Sequence, residues 1–292
     1  DELQEQNGQS LGLEQEGGLH ICLSQAEFDS RKESLDLLRS HQNGRFSYEM
    51  LDRKALLDMQ PDLGPDVVGG SWCPHDGHVN PLYLLRSLHD CLLKKGGSVI
   101  VDAKVSAITY QQSLFDVTST QGRFYAPRLI LAAGLVNRTL APMVGLEQPV
   151  RPQKGHILVT QKTDKLIKLP MTQLRQTAEG SIMIGDSKEE VGFDISSSAD
   201  VTAQIASRAQ RTLPALKNQH IIRSWAALRV MSPDGNPIYD QSASHPGAYA
   251  ITCHSGVTLA AAHCFDLASD IEAGCLGIGL QPFSERRFHV PA

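Results

Sequence analysis

Two short strings place side chains and backbone donors as chemistry would require. Arg229 stands on an apolar stretch between Leu228 and Val230. A guanidinium there either pairs with an internal carboxylate or captures the carboxylate of a ligand, for which its planar fork of donors is suited. Further on, Cys253-His254-Ser255-Gly256 ends a short apolar run and leads into Val257, Thr258 and Leu259. The apolar residues then continue at helical spacing through Ala260, Phe265, Leu267, Ala268 and Ile271. The first N–H groups of a helix have no internal partners and the aligned dipoles make that end positive, so this junction is a site for negative charge. Ser255 reads equally as a helix cap, and His254 as a residue that shapes the turn.

Other strings carry less. Cys73-Pro74-His75, with His78 close by, has no second ligand pair at the spacing that zinc motifs need, so no metal is expected. His254-Ser255-Gly256 lacks the preceding glycine of a hydrolase nucleophile elbow. Asn137-Arg138-Thr139 matches a glycosylation triplet, which has no meaning in a cytosolic protein.

The elements that must position Arg229 and the 253–259 junction follow from turn chemistry. Residues 225–231 read as a strand, Ser232-Pro233-Asp234-Gly235 as a tight turn, and 236–239 as a second strand. His245-Pro246-Gly247 turns the chain into an apolar strand over 248–253, and Gly274 closes the following helix. Upstream, helices are expected over 25–40 (buried through Phe28, Leu35, Leu37 and Leu38), 52–59, 81–94 and 201–212. Strands are expected over 18–22, 67–73, 98–101, 156–160 and 181–184, with a meander over 105–126. Residues 128–133 form a fully apolar run of the kind buried inside a parallel sheet.

At these residues a resemblance becomes specific. The run ALR-x-x-x-PDG-x-P followed by TCHSGVTLA resembles the C-terminal part of the FAD-dependent amino-acid and amine oxidoreductases, which include D-amino acid oxidase, glycine oxidase and sarcosine oxidase. DGHVNP at 76–81, LILAAG at 129–134, PVRPQKGHIL at 149–158 and IGDSKEEVGFD at 184–194 keep the family's order over nearly the whole chain. The wording looks closest to a bacterial branch with opine oxidase, D-hydroxyproline dehydrogenase and the glycine-oxidising subunit of hydrogen cyanide synthase.

The resemblance implies an α/β fold in which a doubly wound, Rossmann-like FAD domain is interleaved with a β-rich substrate domain. By it, Arg229 binds the substrate carboxylate and, with His254, belongs to the catalytic site. Lys154 and His156 face the flavin or the substrate cavity. Val105, Ala133, Gly134 and the run His254, Ser255, Gly256, Val257, Thr258 and Leu259 contact FAD. Plain core packing is the competing reading for Val105 and Ala133. The implied reaction oxidises the C–N bond of glycine, a D-amino acid, D-hydroxyproline or an opine. Partner subunits, and either oxidase or dehydrogenase chemistry, are compatible with that branch.

One expected element is missing. Dinucleotide enzymes of this class open with a strand, a G-x-G-x-x-G turn and a helix, and no such string occurs here. The chain also begins without Met. It is therefore expected to lack at least ~30 residues of the cofactor domain. That absence supports a reading from a different class: a truncated or non-catalytic domain that binds a carboxylate ligand or a partner subunit without flavin.

Expected boundaries are a poorly ordered segment over 1–18, substrate domain over 19–80 and 149–231, and FAD domain over 81–148 and 232–292. With 292 residues, 41% of them hydrophobic, the chain can bury a large core. A net charge of −5 gives no reason to expect a nucleic acid or an anionic membrane as partner. No apolar run reaches the roughly 20 residues of a membrane span, and the six cysteines lack paired spacing. A soluble, cytoplasmic protein with buried free thiols is expected.

Overall fold

A computed structural model describes residues 2–289. In chain order the elements begin α1 (Glu2–Asn7), β1 (Gly18–Cys22), α2 (Gln25–His41), β2 (Glu49–Asp52), α3 (Arg53–Met59), β3 (Gly69–Cys73) and α4 (Pro81–Lys94). The meander β4 (Val105–Gln111), β5 (Leu114–Ser119) and β6 (Gly122–Ala126) follows, then β7 (Leu129–Leu131), α5 (Asn137–Leu140) and β8 (Arg151–Lys162). Next come β9 (Leu174–Gln176), β10 (Ser181–Ile184), α6 (Ala199–Thr212), β11 (Ile221–Met231), β12 (Ile238–Gln241) and β13 (Ala248–Thr252). The last helix starts as α7 (Ala260–Ala262), passes through a π-helical segment (His263–Leu267) and ends as α8 (Ala268–Ala273).

The chain divides into two compact units. Unit 1 comprises Asp1–Val99, Gly155–Lys188 and Ile195–Ala227. There β3 lies between β1 and β2, antiparallel to both. Gly70 fills the centre of β3 because a side chain there would strike the His20 carbonyl. β10 pairs antiparallel with β8 on one side and with β9 on the other. Leu19, Ile21, Leu56, Leu158, Leu174, Ile182 and Leu213 close over one continuous core.

Unit 2 comprises Ile100–Lys154, Glu189–Asp194 and Leu228–Ala292. It holds the meander and a second three-stranded sheet in the order β12-β13-β7. Phe115, Leu131, Ala141, Val144, Ala248 and Ala250 form its core. Among the described residues, no helix is long and apolar enough to cross a membrane.

The start of the chain forms α1, and Asn7 Nδ2 donates to the Ser87 carbonyl and hydroxyl at 2.7 and 2.8 Å. Several expectations are corrected. Residues 98–101 form no strand, while Glu49–Asp52, of which only Asp52 was expected in an element (the helix over 52–59), pairs with β3. On α2 only Leu35 is buried; Leu37, two residues on and so on the opposite side of the helix, is exposed, and so is Leu38. Cys264 and Cys275 are exposed, so only Cys22 and Cys73 of the six thiols are fully buried.

Two further differences matter at the site. The run 128–133 yields only the three residues of β7, at the edge of its sheet and with Ile130 exposed. The helix expected from residue 256 begins at Ala260; Gly256 to Leu259 form turns first, and Gly274 ends α8 at a left-handed φ of 85°.

Candidate active site

The site begins at the only parallel strand pair among the described pairings. Leu129, Ile130 and Leu131 of β7 pair with Ala248, Tyr249 and Ala250 of β13. Because the strands run the same way, both chains leave the sheet at the same end. One exit is Ala132-Ala133-Gly134 and the other is Cys253 to Leu259. In open α/β sheets ligands bind outside the carboxyl ends of parallel strands.

Asn137 ties the two exits together. Its side chain is fully buried. Its Oδ1 accepts the Ala133 N–H at 3.0 Å, and its Nδ2 donates to the Leu131 carbonyl, the Ile251 carbonyl and Thr252 Oγ1 at 3.0, 3.1 and 2.8 Å. Gly134 follows with φ of 59°, and a Cβ there would lie 3.3 Å from Val230 Cγ2. The first exit is therefore built of small residues that keep a narrow space open.

At the second exit, the amides of Gly256, Val257 and Thr258 find no acceptor among the described residues. His254 Nδ1 lies 3.2 Å from Ser255 Oγ, and Val257 is exposed. Tyr239 on β12 bonds through its hydroxyl to His263 Nε2 at 2.8 Å, which fastens the π-helical segment to the sheet. Burial raises the Tyr239 phenol to about 12 and lowers His263, so neither ionises at neutral pH.

Arg229 lies on β11, half-buried, and its Nη1 reaches the Lys154 carbonyl at 3.5 Å. The Lys154 ammonium is buried between Asp194 at 3.0 Å and Glu189 at 3.6 Å, and the Asp194 bond holds its pKa above the usual lysine value. After β11 the turn behaves as its residues predict. Asp234 Oδ1 accepts the Asn236 amide at 3.0 Å, and Gly235 has φ of 79°. Arg287 adds a two-point bond to Asp234 at 2.8 and 3.0 Å and holds that carboxyl well below its ordinary range.

Unit 2 thus contains Ala133, Gly134, Lys154, Arg229 and residues 254–259, and it also holds Val105 at the start of β4 on the separate meander sheet. His156 belongs to unit 1 and is fully buried. Its Nε2 accepts the Ser198 amide at 3.1 Å, at the N-cap of α6, and its Nδ1 lies 3.2 Å from Ser187 Oγ.

Residues 1–269 match the sequence profile of the FAD dependent oxidoreductases. The chain belongs to this family. A subunit of the opine oxidase of Agrobacterium tumefaciens (strain Ach5) is 42% identical over 289 residues, covering 99% of this chain and 78% of the relative. A hydrogen cyanide synthase subunit of Pseudomonas protegens is 29% identical over 248 residues, covering 82% of this chain and 59% of the relative. Among solved structures, glycine oxidase from Geobacillus kaustophilus superposes with a TM-score of 0.88 at 23% identity, covering 97% of this chain and 78% of that one. This FAD-dependent oxidoreductase therefore has the α/β fold of that group, with Rossmann-like and β-rich regions.

The two exits offer groups that suit the ring end and a close backbone approach of a flavin dinucleotide. The strip Ala132-Ala133-Gly134 is free of bulk, and a Cβ on Gly134 would begin to fill it. The open amides of Gly256, Val257 and Thr258 are neutral donors of the kind that suit carbonyl and ring-nitrogen acceptors. Sequence reasoning located both exits yet missed Asn137, which joins them. The triplet that hid it would have signalled its role only through burial, since a fully buried asparagine cannot carry a glycan.

Proposed function

We propose that this FAD-dependent oxidoreductase oxidises the C–N bond of a small amino acid or amino-acid derivative, with an opine as the favoured substrate class. The observation that carries the reading is the parallel exit of β7 and β13, where the small strip at Ala133-Gly134 and the open amides at 256–258 leave the same end of one sheet. Similarity at 42% identity to an opine oxidase subunit favours an opine over glycine, a D-amino acid or D-hydroxyproline. That relative is one subunit of its enzyme, which also supports assembly with partner chains.

Unit 2 is read as the FAD-binding part and unit 1 as the substrate part. Bound FAD would supply the hydride acceptor that converts the amine to an imine, which water then hydrolyses. In this reading Arg229 fixes the substrate carboxylate through its planar fork. The 256–258 amides stabilise negative charge at the carbonyl edge of the ring system. Ala133 and Gly134 admit the cofactor backbone closely, and Val105 contributes main-chain contact. Lys154, committed to Asp194 and Glu189, holds the strand beside Arg229, and His156 positions α6. His254 borders the cofactor edge and carries no assigned proton transfer.

The test is a visible spectrum after FAD is added and free cofactor removed, followed by anaerobic titration with an opine, glycine, D-proline and D-hydroxyproline. Retained flavin bands bleached at the lowest concentration by the opine are expected. Arg229→Ala should raise the concentration needed by about 100-fold, the scale of a lost charge-assisted pair. Retained flavin that no amine bleaches would overturn the reaction. Equal bleaching in the variant would overturn the role of Arg229.

A further inference from the structure

Arg175 is a half-buried arginine with no acid of its own among the described residues. It stands on β9 between Leu174, which is in the core of unit 1, and Gln176. Nearby in the same unit, Arg208 grips Glu27 at two points, 2.9 and 2.8 Å, and Arg211 pairs with Asp66 at 2.6 Å. In unit 2 Arg287 does the same with Asp234. Among the described residues no carboxylate pairs with Arg175. Its Nη1 lies 3.3 Å from His78 Nδ1, and its Nη2 lies 3.1 Å from Met183 Sδ on β10, the strand paired with β9.

Those two contacts are weak, since neither an imidazole nitrogen nor a thioether sulfur carries a negative charge. His78 Nε2 faces Glu14 at 3.3 Å, so Nδ1 is the acceptor and the ring is turned to receive the arginine. Of the five N–H donors of a guanidinium, two are used by His78 and Met183 and three remain. Removing a cation from water is costly unless an opposite charge compensates; burial lowers the Arg175 pKa, and the Glu179 carboxylate, which does not pair with it, offsets that only in part. A fold that keeps such a group, preset in orientation, has it waiting for an anion.

We propose that Arg175, held by His78 and Met183, is a carboxylate-binding residue of this protein. The planar fork matches a carboxylate in a two-point bond. The negative groups already close by, Glu14 through His78 and Glu179 held by Tyr83 at 2.8 Å, favour a singly charged anion over a dianion such as phosphate. The carboxylate belongs either to an amine substrate or to a free carboxylic acid. This site stands on unit 1 alone and does not rest on the flavin reading.

Met183 supplies a local reporter. The chain contains six methionines, so methyl-13C-methionine labelling gives few signals, and Met183→Leu identifies the one beside Arg175. At constant ionic strength, acetate should move the Met183 methyl signal saturably while chloride does not. Arg175→Gln should weaken that response at least tenfold, and Arg175→Lys, which keeps charge but loses the fork, should fall between. Unmoved signals from the other methionines report an intact fold in each variant.

Iminodiacetate, a secondary amine between two carboxylates with a net charge of −1 at neutral pH, is then compared with monomethyl glutarate, which carries the same net charge without the amine. Half-saturation at lower concentration with iminodiacetate assigns the carboxylate to an amine substrate; equal values assign it to a free acid. The proposal fails if carboxylates leave the Met183 methyl unmoved, if phosphate saturates more tightly than acetate, or if Arg175→Gln titrates as the unaltered chain does. None of these readouts involves flavin, so a failure of amine oxidation would leave the result standing.

Discussion

At the scale of single residues, Asn137 decides whether the two loops of the site share a geometry. It satisfies one donor and three acceptors inside a dry corner where water cannot replace it. Buried groups left unpaired cost roughly 1–3 kcal/mol each. Asn137→Ala should therefore destabilise the chain by roughly 2–4 kcal/mol in urea denaturation and reduce its retention of FAD. Asn137→Asp should be at least as damaging, because a carboxylate would face two carbonyl oxygens. A variant as stable as the original, with unaltered FAD retention, would show that other contacts fix the exits. Arg229 and the 253–259 run were legible because their residue types point to anion and carbonyl recognition. Asn137 was not, since nothing local distinguishes a buried asparagine from an exposed one.

Between elements, the joint of β1, α2 and α6 shows what holds unit 1 in register. Ser24 caps α2 by accepting the Glu27 amide at 3.2 Å, and Glu27 in turn accepts the Leu23 amide at 2.9 Å and the two bonds from Arg208. The hydrogen bonds from Arg208 are the chief reason that Glu27 titrates at about 2 rather than 4.5. A carboxyl with a depressed pKa contributes stability that is present above its unfolded value and lost as pH falls through the folded one. The joint should thus be at full strength above pH 4.5 and weaken as the pH falls to about 2. Arg208→Met should lower the urea midpoint at neutral pH and flatten its decline over that window. A decline as steep as in the unaltered chain would assign the acid sensitivity elsewhere. The Ser24-x-x-Glu27 spacing is a capping box visible in the sequence, but its third partner lies on a helix far along the chain.

For the whole molecule, the surface is less polar than the composition suggests. Leu82 is 73% exposed on α4, and Leu85, Leu88 and Leu92 are 51%, 41% and 44% exposed along the same helix. Exchanging Leu85→Lys and Leu92→Glu should change stability by less than about 0.5 kcal/mol, the range of surface substitutions. The pair should also lower the binding of a hydrophobic dye such as ANS and reduce self-association in light scattering. A loss of several kcal/mol would mean that these leucines are packed in solution.

The sequence by itself determined the family, the order of most strands and helices, and the two loops proposed to receive a cofactor. Local chemistry suffices for these: turn residues, caps and apolar period act within a few positions of themselves. The ends at 235 and 274 followed from Gly235 and Gly274 for that reason. Only the tertiary structure decided that β7 is an edge strand, that Leu37 and the leucines of α4 are exposed, and that His156 is spent on the entry to α6. It alone also left Arg175 without an acid while giving Arg208 one 181 positions away. Burial and pairing are set by residues distant in the chain, and no local pattern encodes which distant residue will arrive.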